Sequence, residues 1–175
     1  MKLILVLSVA LLLQLPQVSA NILKDFVGNW NYVEKGFYEN TSHSEEETEE
    51  GHEHEELTPY TLRYTVNIRK LKNGNYHSTA REKTSSGLKL AWEEILRPNR
   101  TAVFRSYDSY TGKVAIQYTG TWSVRNGRLN YNYTSRDSSG DQKIQGFTKR
   151  ESANKWTGKG TYTGGTFSIT MTRRR

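Results

Sequence analysis

The chain reads as all-β, a single antiparallel up-and-down meander closed into a barrel of about 8–10 strands with little helix. Three observations predict it. Apolar and polar side chains alternate with period two over many short segments. Turn-forming pairs such as Asn-Gly, Ser-Gly and Gly-Gly punctuate those segments at regular intervals. Every connection but one is of hairpin length, so successive strands lie side by side. A meander of this size has two exposed edges unless it closes on itself. A β-sandwich is the second architecture this spacing allows.

In chain order, Lys2 precedes an apolar run over residues 3–15 and then Pro16-Gln17-Val18-Ser19-Ala20. A basic start, a short apolar stretch and a small-residue exit read as a secretory signal peptide over 1–20, cleaved after Ala20. A membrane span needs about 20 apolar residues, and neither this run nor any later segment supplies them. The expected mature domain is 21–175, secreted and extracellular. Residues 21–26 allow one short helical turn. Residues 27–33 read as the first strand, with Gly28-Asn29-Trp30 at its start. Residues 36–58 are polar and acidic and read as a mobile loop, with the His/Glu tract spanning 39–58.

The second strand, 60–71, puts Tyr60, Leu62, Tyr64, Val66 and Ile68 on one face. Asn73-Gly74 turns it. A two-residue loop would set the charged Arg81 opposite Val66. A three-residue loop with Gly74 left-handed instead pairs Ile68 with Ser78 and Val66 with Ala80, and is preferred. The next strand, 75–83, then turns Tyr76, Ser78 and Ala80 inward. After a loop at 84–87, residues 88–96 alternate as Leu88, Leu90, Trp92, Glu94, Leu96. Helix competes there, but the surrounding strands favour strand. Residues 101–108 and 113–125 are strands.

The clearest stretch is 113–134. Val114, Ile116, Tyr118, Gly120, Trp122 and Val124 share one face, and Leu129, Tyr131 and Tyr133 resume it after Asn126-Gly127. A two-residue type I′ turn there pairs Val124 with Leu129, Trp122 with Tyr131 and Gly120 with Tyr133, all on that face. Turns at 138–141, 152–154 and 164–165 separate strands at 142–150, 156–163 and 166–173. The last of these has Phe167, Ile169 and Met171 inward.

The net charge of +7 conceals a division. Residues 45–56 hold eight glutamates and no base. Setting them and the signal segment aside leaves 24 Lys and Arg against 10 Asp and Glu, a body of +14. With no cysteine, the domain relies on its own core, and thiol nucleophiles and zinc-thiolate sites are excluded. Sequons at Asn40, Asn99 and Asn132 make glycosylation the expectation for a secreted eukaryotic chain.

Phe26-Val27-Gly28-Asn29-Trp30 resembles the Gly-x-Trp opening of the calycins, the superfamily of lipocalins, fatty-acid-binding proteins and avidins. FVGxW is similar to the fatty-acid-binding start in particular. Arg173 lies where such proteins set a late basic side chain. The resemblance implies the barrel architecture over 21–175. It also implies that Trp30 closes one end, with Arg173 stacked on it as a cation–π pair. It transfers no ligand.

Candidate ligand-binding residues are the inward aromatics Tyr64, Trp92, Phe104, Tyr118, Tyr131 and Tyr133, with Tyr60 and Tyr162. They suit a small flat or amphipathic molecule. A filled interior explains the same pattern equally well. Inward Gly120, Gly146, Gly158 and Gly160 either leave room or mark bends in the wall. His52, His54 and Glu53 are candidate metal ligands within the acidic tract, which otherwise reads as a solvated run. The basic body, densest at Arg173-Arg174-Arg175, offers itself to polyanions. No cofactor motif occurs. Adjacent Glu93 and Glu94 point to opposite faces of a strand, and His77 stands alone, so catalysis is not expected. Two functions follow. One is a secreted lipocalin-like carrier of a small hydrophobic or aromatic ligand. The other is an extracellular matrix or interaction protein that binds polyanions or calcium through its charged surfaces.

Overall fold

In the computed structural model, described for residues 22–39, 57–137 and 140–175, ten strands follow a helical turn at 22–26. They are β1 (Gly28–Glu39), β2 (Leu57–Lys70), β3 (Tyr76–Thr84), β4 (Gly87–Leu96), β5 (Thr101–Tyr107), β6 (Val114–Arg125), β7 (Arg128–Asp137), β8 (Gly140–Ser152), β9 (Lys155–Tyr162) and β10 (Gly165–Arg173). Each pairs antiparallel with its neighbour in sequence, and β1 pairs with β10 to close the barrel. No helix among the described residues is long and apolar enough to cross a membrane.

Local turn chemistry fixes the register. Asn126 and Gly127 both take positive φ (51° and 71°), and Trp122 faces Tyr131 as Val124 faces Leu129. At the β2–β3 connection the Leu71 amide donates to the Asn75 carbonyl (2.8 Å) across three residues ending in Gly74 at φ 83°. Ile68 therefore faces Ser78 and Val66 faces Ala80. Residues 88–96 are strand, within β4.

The structure corrects three expectations. Residues 36–39 and 57–58 are strand rather than loop: Gly36 pairs with Tyr60 on one side and Phe167 on the other. Two flanking ladders supply the backbone partners that a weak apolar pattern did not signal. The remainder of the acidic tract, with Asn40, His52, Glu53 and His54, lies outside the described residues. Second, Leu88 and Leu90 do not share a face with Trp92. The register shifts so that Ala80 pairs with Trp92 but Arg81 with Leu90, leaving Ala91 as an extra residue. One extra residue inverts every side chain beyond it, and Leu88 ends up 62 % exposed. Third, a shift between Ser106 and Tyr107 leaves Ala115 extra, and Val114 leaves the face of Ile116 in the same way.

Strand direction sorts the connections between two ends. The helical turn, Asn126-Gly127 and the 71–75, 97–100 and 153–154 turns share one end. The ends of β1 and β2 at Glu39 and Leu57, and the 85–86, 108–113 and 163–164 connections, share the other. The first end is solid. Leu23 and Phe26 join Ile68, Leu96, Leu129 and Met171 in one buried cluster with Trp30 and Trp156, both 0 % exposed. Phe26 meets Trp156 edge-on at 4.9 Å between centroids. The Trp30 Nε1–H donates to the Phe26 carbonyl (2.9 Å). The Arg173 guanidinium, which the resemblance set over Trp30, lies 4.4 Å from that ring centroid. It donates to the carbonyls of Asp25 (2.9 Å), Val27 (3.2 Å) and Ala153 (3.3 Å). One side chain thus ties the helical turn, the start of β1 and the β8–β9 turn together. Trp122 is held likewise: its Nε1–H donates to the Arg97 carbonyl (2.9 Å), and Arg100 covers the ring at 4.4 Å.

Candidate functional site: the barrel cavity

Beyond the tryptophan plug the interior opens into a cavity of about 760 Å³, within the range of small-molecule sites. It reaches from Phe26 and Met171, on the inner side of the base cluster, to Tyr60, Asp108 and Gln142 toward the other end. Exposure rises along it: Val66 is buried, Tyr64 half-buried, and Leu62 is 40 % exposed.

All six residues predicted to bind a ligand, Tyr64, Trp92, Phe104, Tyr118, Tyr131 and Tyr133, line this cavity, as do Tyr60 and Tyr162. Period-two alternation on β2, β4, β5, β6, β7 and β9 turns them inward. Their rings form a connected belt. Tyr32 meets Tyr64 (5.8 Å) and crosses the barrel to Trp92 (5.7 Å). Trp92 meets Phe104 (5.6 Å), Phe104 meets Tyr133 (6.1 Å), and Tyr133 stacks on Tyr131 (5.8 Å). The choice between a filled and a hollow interior resolves by level, with a packed base and an aromatic-walled chamber above it. Glycines let rings lie against the wall. A β-carbon at Gly160 would come within 2.4 Å of the Phe167 ring, and one at Gly146 within 2.8 Å of the Tyr131 hydroxyl.

Sequence reasoning missed the carboxylates. Glu34 on β1 accepts from the Tyr32 hydroxyl (2.6 Å) and the Tyr60 hydroxyl (2.9 Å). Glu94 on β4 accepts a short hydrogen bond from Tyr133. Both line the cavity. Burial pushes the Glu94 carboxyl up, against the pull of the Tyr133 hydrogen bond. Burial, then nearby Glu34 and Glu82, push the Tyr64 phenol up to about 12. Burial and then Glu94 raise Tyr133 and Tyr131, and Glu34 adds to the rise at Tyr131. The wall therefore presents neutral phenols beside carboxyl groups. The Tyr131 hydroxyl is buried with no hydrogen-bond partner, as are Thr148 Oγ1 lower in the cavity and Trp156 Nε1 in the base. Tyr32 and Glu34 continue the inward alternation of Trp30, a signal visible had β1 been extended past residue 33. Glu94 was readable as a charged residue in an inward register between Trp92 and Leu96.

Glu93 and Glu94 do point to opposite faces. On the outer one, Glu93 accepts from Arg105 (2.8 Å) and Tyr107 (2.9 Å) and meets His77 Nε2 at 3.1 Å, so His77 is paired rather than alone. Burial opposes ionisation of Glu93, but these three hydrogen bonds outweigh it and hold its carboxyl below the ordinary value. Asn99 and Asn132 are exposed; Asn99 Oδ1 accepts from the Thr101 amide (3.1 Å) and hydroxyl (2.7 Å). Arg173 is committed to Trp30, which leaves Arg174 and Arg175 as the exposed part of the basic cluster. Among the described residues no group of three His, Cys, Asp or Glu comes together to hold a metal.

No protein-family model matches the chain, and no curated protein matches it. Similarity to solved structures is low. A redesigned β-barrel is 13 % identical with a TM-score of 0.44, over 88 % of this chain and 96 % of that one. The ywiB protein of Bacillus subtilis is 12 % identical with a TM-score of 0.34, over 85 % and 93 %. Neither similarity bears on function.

Proposed function

We propose that this protein is a secreted, calycin-like carrier that holds a small hydrophobic or aromatic molecule in its barrel. One observation supports it above the rest: a 760 Å³ chamber walled by connected rings, above a base that is already solid. A barrel that needed only stability would continue its packing upward, because empty apolar volume forfeits contact energy. Secretion rests on residues 1–20, and glycans belong on the exposed Asn99 and Asn132. The reading is of binding rather than catalysis. Trp92, half-buried in the chamber wall, is its natural reporter. Titration with a panel of aromatic and aliphatic ligands is expected to quench tryptophan emission saturably, and Trp92→Phe to remove most of that response. A panel that leaves emission unchanged and shows no heat in calorimetry would overturn the carrier reading. The alternative, a matrix or interaction protein acting on polyanions through its basic exterior, predicts retention on heparin at physiological salt.

A further inference from the structure

We propose, resting on the carrier reading, that the molecule this chamber takes is an organic cation: an ammonium group on an aromatic or apolar body. Charge is distributed against expectation. The body outside the acidic tract and signal segment holds 24 bases and 10 acids. Yet four of those acids, Glu34, Glu82, Glu94 and Asp108, line the cavity, and no lysine, arginine or histidine among the described residues does. A carboxylate ligand would enter with nothing to pair it and several like charges around it. A metal ion would need ligands that converge, and none do among the described residues.

An ammonium on an aromatic body meets what is present. Its charge sits over ring faces such as Trp92 and Tyr32, an attraction that strengthens when water is excluded. Its N–H groups need acceptors. Glu34 offers them, because the Tyr32 and Tyr60 hydroxyls occupy only part of the capacity of its two oxygens. Glu94 offers another beside its bond from Tyr133. The Tyr131 hydroxyl is buried in the cavity wall without a partner, a state that costs free energy and that a small shift of the ring toward a polar ligand group would relieve. Glu34, Glu94 and Tyr131 stand on β1, β4 and β7, spaced around the ring of ten strands. Burial pushes the Glu94 carboxyl up, and a cation beside it would oppose that rise.

The test is a charge series on one ring, measured by calorimetry at neutral pH on the mature chain. It comprises 2-phenylethylamine, the neutral 2-phenylethanol and the anionic 3-phenylpropionate, with Nile red as a neutral general probe. The cation is expected to bind roughly tenfold or more tightly than the alcohol, and the anion least. Glu34→Gln and Glu94→Gln remove the charge at nearly constant shape, and each should shrink the cation's advantage over the alcohol, both measured on the same variant. If the alcohol or the anion binds as well as the amine while Nile red still binds, the cation inference is overturned and the carrier reading survives. If none of the four binds, both fall. Because the wild-type series decides the matter, a variant that misfolds does not protect the proposal.

Discussion

Trp30 and Trp122 at the base of the barrel and Trp92 in its chamber are one side chain in two settings. At the base, each ring N–H finds a backbone carbonyl and each ring face a guanidinium at 4.4 Å. Trp92 is edged by the rings of Tyr32, Tyr64 and Phe104 at 5.6–6.3 Å. A tryptophan satisfied at its nitrogen and covered on its face is a fixed plug. One edged by rings borders space. Trp156 in the same base is fixed by burial instead: it is 0 % exposed, its Nε1 has no partner and Phe26 meets it edge-on, so burial and polar partners together, not an aromatic count, distinguish a core from a site.

Truncation should break that contrast most sharply at the base. Trp156→Ala is expected to lower stability by about 3–5 kcal/mol, the range for a buried aromatic, in urea unfolding followed by circular dichroism. Arg173→Ala should cost about 1–3 kcal/mol by losing the Trp30 face and three carbonyl bonds. Arg173→Lys should recover only part of that loss, since one ammonium cannot reproduce the fork.

The paired glutamates sharpen the comparison through pH. The Glu94 carboxyl is raised in the fold, so its contribution is complete below the ordinary value of 4.5 and disappears as pH rises through the raised one. Glu94→Gln should therefore make the barrel more stable at neutral pH, with the gain fading in acid. Glu93 behaves oppositely. Its carboxyl is lowered, so its contribution holds above 4.5 and is lost as pH falls through the lowered value. Glu93→Gln should destabilise at neutral pH, and the difference should close in acid. Equal pH profiles for the two variants would remove the distinction between an outer, ion-paired carboxylate and an inner one facing the cavity. Gly127→Ala, forced to φ 71°, should cost about 1 kcal/mol. Leu62→Ala, at the exposed end, should cost less than about 1 kcal/mol.

The fold was legible wherever turn chemistry and alternation agreed. Asn126-Gly127 and Asn73-Gly74 each selected one register, and both registers stand in the structure. Legibility failed at the bulges. Ala91 and Ala115 interrupt the period without any glycine or proline to announce it, so Leu88 and Val114 were placed on the wrong face. It failed again at 36–39, where ladders on both sides hold a segment whose own pattern is weak. At the site, the ring lining was visible because aromatics keep the strand period. Glu34 was not, because its strand was ended one residue before it.

The β1–β10 ladder has a consequence for how the chain reaches this state. Every other ladder joins segments close in sequence, whereas this one brings residues 30–38 to residues 165–173. Loop-closure entropy makes such a pairing late and slow, so refolding should pass through an open sheet with β1 and β10 as free edges, both prone to capture by another molecule. Pulsed amide exchange during refolding should find those two strands protected last. A chain stalled there would be expected to aggregate or exchange β10 with a neighbour.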